Sequence, residues 1–447
     1  MLSNGNCSYS IYRSKAMPIQ KNRKDLNDLI RDEYGKILST FTRLFGIEYL
    51  ELAEKIIDEA YAKARSNSRS KGISKNLKDW LWNIARIRGS EILRRENKLY
   101  DYGLNMNQIS GEEFKALIKL DDELLIDNQL RMLFVCCHPS IPRESQVTLT
   151  LKFLSGLNNQ EIGTVLFANE STIARRLEEG RQRVKKLQID YGLPETSEQC
   201  QRLESVHSTL YHIFKQGYNY CGKSQNKIEL CNESIKLATL LTNHKHTNGP
   251  ETHALISFML FEASRLPGRF DKEKRLLDLR EQDRSLWDRK MINKALYHLD
   301  ISTDSNNVSE YHLRAGISAC HAIADSYEKT DWRRILLLYE SYLKLNDDPA
   351  VHLERAKVFS SVFGAVEGIN EIKRILRSKQ LESNHLLYST LGNLYLELNN
   401  YKKALENYKS AMKHAIAKDD QSFYRKRIEI CQNRLRMARR YIHQKSF

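Results

Sequence analysis

Proline and glycine are scarce in this 447-residue sequence, at 7 and 19 residues. An all-β fold, with its many tight turns, would demand more of both, so helices are the expected framework. Cysteine is sparse too. Eight residues in this length do not make a disulfide scaffold, which fits a reducing cytoplasm. No apolar run approaches the roughly 20 residues that a membrane-crossing helix needs, and the N-terminal stretch lacks the apolar core of a signal peptide. Also missing are a G-x-x-x-x-G-K-[ST] phosphate loop, H-E-x-x-H and G-x-S-x-G. The thirteen histidines are dispersed, and no catalytic constellation emerges. The expectation is a soluble, cytoplasmic, all-α protein that is not an enzyme, uses no cofactor or metal and has no membrane partner.

What the chain does have is positive charge. Its 71 Lys and Arg exceed its 56 Asp and Glu by 15. The excess is uneven: residues 1–100 are net +8, residues 101–127 net −5, and residues 128–190 net +3. Two basic blocks joined by an acidic bridge suit two modules that touch a polyanion and a connector that does not. A solvated surface with favourable colloidal charge is the plainer alternative.

Within the first block, Ala53, Ile56, Ile57, Ala60, Tyr61 and Ala64 recur at helical spacing over Tyr49–Ser66. Glu51, Lys55 and Asp58 fall on the opposite face, with Glu54 and Glu59 flanking the stripe. A Ser-, Arg- and Lys-rich loop is expected over Arg65–Lys75, then a second helix over Lys78–Asn97. That helix has a core face of Leu81, Ile84, Ala85 and Ile92, a cationic set of Arg86, Arg88, Arg94 and Arg95, and Trp80 and Trp82 at its start. Aromatic rings among guanidinium groups suit single-stranded DNA, because rings stack on unpaired bases while the cations hold phosphates. The two tryptophans could equally be core residues.

The second block reads as a helix-turn-helix. A short helix from Gln160 to Leu166 is followed by a four-residue turn, Phe167–Glu170, and a second helix capped by Ser171 and Thr172 that runs to Lys186. Ile162, Leu166, Ala168 and Ile173 occupy the buried positions, and Gly163 is the small residue where the helices meet. Such a second helix places its N-terminal residues at base edges in the major groove. Ser171, Thr172, Arg175 and Arg176 are the candidate readers. Arg181, Arg183, Lys185 and Lys186 are better placed for phosphates. Cys136-Cys137-His138 suggests zinc only superficially, since adjacent helical cysteines diverge by about 100° and no second ligand pair is nearby.

With both modules in view, the chain resembles a bacterial sigma-70-family factor of the extracytoplasmic-function type. Leu52 to Tyr61 is similar to that family's core-polymerase-binding helix. Arg131–Pro139, Leu210–Phe214 and Gln282–Asp288 resemble the subgroup with a long C-terminal TPR-like helical domain. The resemblance implies a flexible N-terminus (1–21) and sigma region 2, a helical bundle that binds core polymerase and the −10 element (22–100). It further implies an acidic linker (101–127), region 4, the −35-reading helix-turn-helix (128–190), and a C-terminal α-solenoid (191–447). Carried over, Glu51, Lys55, Asp58 and Glu59 lie on or beside the face toward core RNA polymerase. Lys75, Asn76, Trp80, Arg86 and Arg88 lie near the −10 strand of promoter DNA. Ser171, Thr172, Arg175, Arg176, Arg181 and Arg183 serve the −35 element. Three departures stand out: Glu178 and Glu179 on the recognition helix, Lys215-Gln216 in place of an Asn-Glu pair before Gly217-Tyr218, and Phe167 at a turn position that often holds Gly.

The remaining residues read as helices broken at Asn243–Pro250, Pro267–Gly268 and Ser302–Asn307. Leu391-Gly392, Tyr395, Ala404, Tyr408 and Ala411 match the 34-residue tetratricopeptide spacing, with the clearest repeat over 385–418. Ala356 and Phe359 begin a weaker echo, and Trp332–Pro349 is a candidate second helix of another repeat. Stacked repeats expose a concave groove, either for a protein or peptide ligand or for docking on the N-terminal modules. The last stretch, Arg425–Lys445, has eight basic residues and one acid, with Ile428, Leu435 and Ile442 every seven residues. It reads as an amphipathic cap or as a nucleic-acid or polymerase contact.

Overall fold

Long stretches without proline or glycine leave the backbone free to form uninterrupted helical ladders. A computed structural model describes residues 26–71, 77–96, 122–193, 199–219, 225–273, 276–304, 307–377, 384–416 and 418–445. Among these residues there are eighteen α-helices and no strand beyond one isolated bridge, Phe270 to Leu276. The all-α expectation holds. No helix in the described residues is long and apolar enough to cross a membrane.

The first three helices, α1 (Leu26–Phe45), α2 (Leu50–Lys71) and α3 (Leu77–Glu96), pack on one another. The stripe of α2 is buried from Ala53 to Tyr61, against Ile37, Leu38 and Phe41 of α1 and Leu81, Trp82 and Ala85 of α3. One boundary differs from expectation. Residues 65–71 continue α2 instead of opening a loop, because no Gly or Pro interrupts the ladder before Gly72. The acidic connector lies outside the described residues as far as position 121; from Asp122 it is helix α4 (Asp122–Cys136). Asp122 and Glu123 sit in its first turn, where carboxylates complement the helix dipole. Helix α4 lies along α1, with Asn128 Nδ2 donating to Thr40 Oγ1 (3.2 Å) and Arg43 donating to Asn128 Oδ1 (2.9 Å).

Helices α5 (Arg143–Phe153), α6 (Asn159–Leu166) and α7 (Glu170–Lys186) complete the second module. Then come α8 (Gln199–Asn219), α9 (Gln225–Leu240), α10 (Pro250–Ser264), α11 (Arg289–Ser302) and α12 (Glu310–Ile323). The expected boundary at 190/191 is no gap in the packing. One continuous core runs from Ile30 to Ala322, and Tyr191 crosses the boundary by donating to the Ser39 and Asn128 carbonyls (2.7 and 3.1 Å). Between α10 and α11 the Gln282–Asp288 motif acts as a staple. Arg284 donates to the His321 and Ala324 carbonyls (2.6 Å each), Trp287 is buried, and Asp288 caps α11.

Helices α13 (Trp332–Leu345), α14 (Pro349–Phe363), α15 (Ala365–Arg377), α16 (His385–Glu397), α17 (Tyr401–His414) and α18 (Lys418–Lys445) each pack on their neighbours in sequence. A second core spans Leu353 to Cys431. Helices α16 and α17 form the hairpin that carries the 34-residue spacing. A Cβ on Gly392 would stand 2.8 Å from the Tyr408 ring, so only glycine admits that ring there. In the cap α18 the fully buried anchors are Tyr424 and Cys431, themselves seven residues apart, with Ile428 packed against the same core and Leu435 partly buried. The Ile442 side chain lies outside the described residues.

Candidate nucleic-acid interface

The second module is assembled from local signals. Asn158 caps α6 in a reciprocal box, its side chain accepting from the Glu161 N–H while Glu161 accepts from the Asn158 N–H. Ile162, Val165 and Ile173 are buried, and Leu166 and Ala168 are half-buried. Val165 was not among the positions the motif suggested. A Cβ on Gly163 would stand 2.6 Å from the Ala168 carbonyl oxygen, so the turn closes directly onto glycine. Phe167 takes the left-handed conformation (φ 53°, ψ 39°) with its ring exposed. This explains why a Gly suits that position.

The cap of α7 differs from expectation. The helix begins at Glu170, and Asn169 accepts from the Thr172 N–H (2.8 Å) and from the Ser171 hydroxyl (2.9 Å). The turn is therefore Phe167–Asn169. Asn169 holds the cap position, and its side chain satisfies the N–H three residues on, which leaves Ser171 and Thr172 inside the first turn. Ser171 and Arg175 are exposed on the first turns of α7, and Thr172 and Arg176 are half-buried beside them. Arg183, Lys185 and Lys186 are exposed near its C-terminal end, where cations complement the dipole. Of the two departures on this helix, Glu179 accepts from Ser145 Oγ (3.4 Å) and Glu178 from Gln182 Nε2 (2.8 Å).

Arg181 stands apart from the other residues expected to contact phosphates. Its guanidinium is forked onto Glu54 of α2, with N–O distances of 2.7, 2.9 and 3.1 Å, and lies over the Phe153 ring. The Glu54 side chain is only 8 % exposed, against 22 % for that of Arg181. Burial pushes the Glu54 carboxyl above its usual range despite the pull of Arg181. Around this pair lies an open crevice of about 860 Å³ between α2 and α7. Glu51, Lys55, Asp58 and Glu59 line one wall and Ala174, Glu178 and Arg181 the other. All four residues expected to face polymerase thus look onto the second module.

The −10 candidates divide. Trp82 is fully buried and donates to Glu33 Oε2 (2.9 Å), which makes it a core residue, whereas Trp80 is half-buried at the edge of that core. Arg88 pairs with Glu91 (2.6 Å) and Glu59 (3.5 Å), so a −10 candidate is tied to a polymerase candidate. Arg86 is half-buried and within 3.4 Å of Asn83 Oδ1. Lys75 and Asn76 lie outside the described residues. Cys136 and Cys137 are both buried, and burial raises the Cys137 thiol to about 11.

Sequence reasoning missed the residues that join the modules. Arg31 of α1 pairs with Glu161 of α6 and with Glu229 of α9 (3.1 Å). A cavity of about 400 Å³ beside this triad is lined by all three helices. Among the described residues, α8 and α9 pack on the first 190 residues, whereas the hairpin near 385–418 belongs to the second core. Only one local signal pointed here: Glu54 beside an apolar stripe is a carboxylate that needs a cation when both flanks are covered.

Residues 202–303, which span α8 to α11, match a family of unknown function (DUF6596). Over 315 residues the chain is 32 % identical to uncharacterized protein R00370 of Rhizobium meliloti (strain 1021), covering 70 % of this chain and 74 % of that protein. The chain belongs to the same protein family as this Rhizobium meliloti protein.

Proposed function

We propose that this protein is a sigma factor that directs core RNA polymerase to a restricted set of promoters. On this reading α1–α3 act as region 2, α4–α7 as region 4, and the helices from α13 onward as a TPR-like solenoid that regulates activity. The observation that carries the proposal is the α6–turn–α7 unit, with Ser171 and Arg175 exposed at the start of α7 and Arg183, Lys185 and Lys186 exposed at its end. The first set is suited to base edges and the second to phosphates. Glu51, Lys55 and Asp58, exposed on α2, supply a charged face for the polymerase. The arrangement described is then a closed one, since that face looks across a crevice at α7, and engaging polymerase requires the crevice to open.

Run-off transcription with purified core polymerase and fragmented genomic template tests the proposal. Discrete new transcripts that share −35 and −10 sequences, and that are lost in Arg175→Ala, are the expected result. Salt-sensitive duplex binding with no core binding would replace it with a helix-turn-helix repressor. Neither activity would leave a helical scaffold.

A further inference from the structure

Glu229 and Glu233 stand one turn apart on α9, a spacing at which like charges repel. Packing adds two more acids to them, Asp32 of α1 and Glu161 of α6. All four line the cavity of about 400 Å³ at the junction of the three helices. Two cations serve these four carboxylates. Arg31 is shared by Glu161 and Glu229 (3.1 Å to the latter), and Lys236 by Glu233 (3.2 Å) and Asp32 (3.6 Å). Ionised, the set holds two negative charges in excess around one cavity. Burial raises the Glu233 carboxyl above its usual range and Asp32 adds to the rise, while Lys236 and Ser155 offset it only in part.

Ser155, in the turn between α5 and α6, lines the same cavity and is only 5 % exposed. Its hydroxyl stands toward Glu233 yet completes no hydrogen bond among the described residues. A buried hydroxyl left in this state is costly unless a further group meets it. The rest of the lining is largely hydrocarbon: Val165 and Leu230 are buried and Leu157 is half-buried. Among the described residues no three of the acids converge as ligands of a single metal ion. The negative charge is instead divided between the carboxylates around Arg31 and those around Lys236.

We propose that this cavity binds a small aliphatic diamine or polyamine, one ammonium taken by Glu161 and Glu229 and another by Asp32 and Glu233, with the Ser155 hydroxyl accepting from the second. Two separated positive charges match the two divided negative ones. The methylene chain between them covers Leu157, Val165 and Leu230, which a hydrated metal ion would leave against water. A ligand held by α1, α6 and α9 together favours the packed arrangement of these helices over an open one. This assignment is independent of the sigma-factor reading.

Isothermal titration calorimetry of the full-length protein tests the proposal, with diaminobutane, spermidine, butylamine and magnesium chloride as probes at one fixed ionic strength. Saturable one-to-one binding of diaminobutane or spermidine is expected. It should be about tenfold tighter than that of butylamine, which brings a single charge. Glu233→Gln should weaken the diamine about tenfold, while Glu397→Gln on the exposed surface of α16 leaves it unchanged. Ser155→Ala removes a hydroxyl that completes no hydrogen bond, so the thermal midpoint without ligand should hold while affinity falls severalfold. That combination separates a ligand contact from a structural role. The absence of saturable binding, magnesium or butylamine binding as tightly as the diamine, or unchanged affinity in either Glu233→Gln or Ser155→Ala would each overturn the proposal.

Discussion

Removing Arg181 should damage this protein far more than removing the charge of its partner. The two guanidinium nitrogens approach Glu54 at 2.7–3.1 Å. At an effective dielectric of about 20, that attraction is roughly 4 kcal/mol. Burial nevertheless leaves the Glu54 carboxyl raised, so desolvation outweighs the attraction. Arg181→Met strands a carboxylate whose side chain is 8 % exposed, a loss of about 3 kcal/mol. Glu54→Gln keeps an acceptor for an arginine that still reaches water, and the change should stay within about 1 kcal/mol. The double variant should recover most of the Arg181→Met loss. Hydrogen exchange of α2 and α7 reads this contact locally, and 3 kcal/mol corresponds to about a hundredfold loss of protection. The pH dependence has a definite sign. A carboxyl whose folded pKa is raised above 4.5 stabilises the contact fully below that value and loses this contribution as pH rises through the folded pKa. Protection of α2 and α7 should therefore not weaken through this group as the pH falls from 7 to about 5. Equal losses in the two single variants, or an additive double variant, would refute the reasoning.

Three other outcomes are expected. Phe167→Gly relieves a left-handed residue with an exposed ring and should stabilise the α6–α7 unit by about 1 kcal/mol, measured by exchange of α6 amides; an unchanged or lower value counts against the strain. Burial depresses His207 to about 3 while its Nε2 meets Thr252 Oγ1 at 2.8 Å and Glu251 stands 4.0 Å from Nδ1. Because the unfolded ring takes up the proton first, its contribution is intact above pH 6.5 and declines as pH falls toward 3, by about 2 kcal/mol at pH 5. His207→Gln should flatten the urea midpoint between pH 7 and pH 5, and an unaltered slope would exclude this histidine. Gly392→Val drives side-chain atoms into the Tyr408 ring and should cost the Leu353–Cys431 core about 2 kcal/mol, seen as faster trypsin cleavage C-terminal to α14.

Whatever depended on neighbours within a few residues could be read from the sequence. The buried stripe from Ala53 to Tyr61, the α6–α7 pair and the Gly392–Tyr408 hairpin follow from side-chain periodicity and from where a small residue must stand. Boundaries were less legible. The Ser-rich run at 65–71 resembles a loop in composition, yet nothing in it breaks a helix. Ser171 and Thr172 are good caps that lost to Asn169, two and three residues earlier. Trp82 was ambiguous because the partner of its indole, Glu33, lies 49 residues away.

The sequence by itself determined the all-helical class, the short turn that joins α6 to α7 and which side chains line the outer face of α7, because a helix places residues three and four apart on one side whatever surrounds it. Only the tertiary structure decided that Arg181 closes on Glu54 across 127 residues, that α8 and α9 seal both basic modules into one core, and that Arg269 and Arg314 lie over the rings of Tyr218 and Tyr211. Those pairings depend on packing between distant helices, where burial turns an ordinary surface charge into a group that must find a counter-charge.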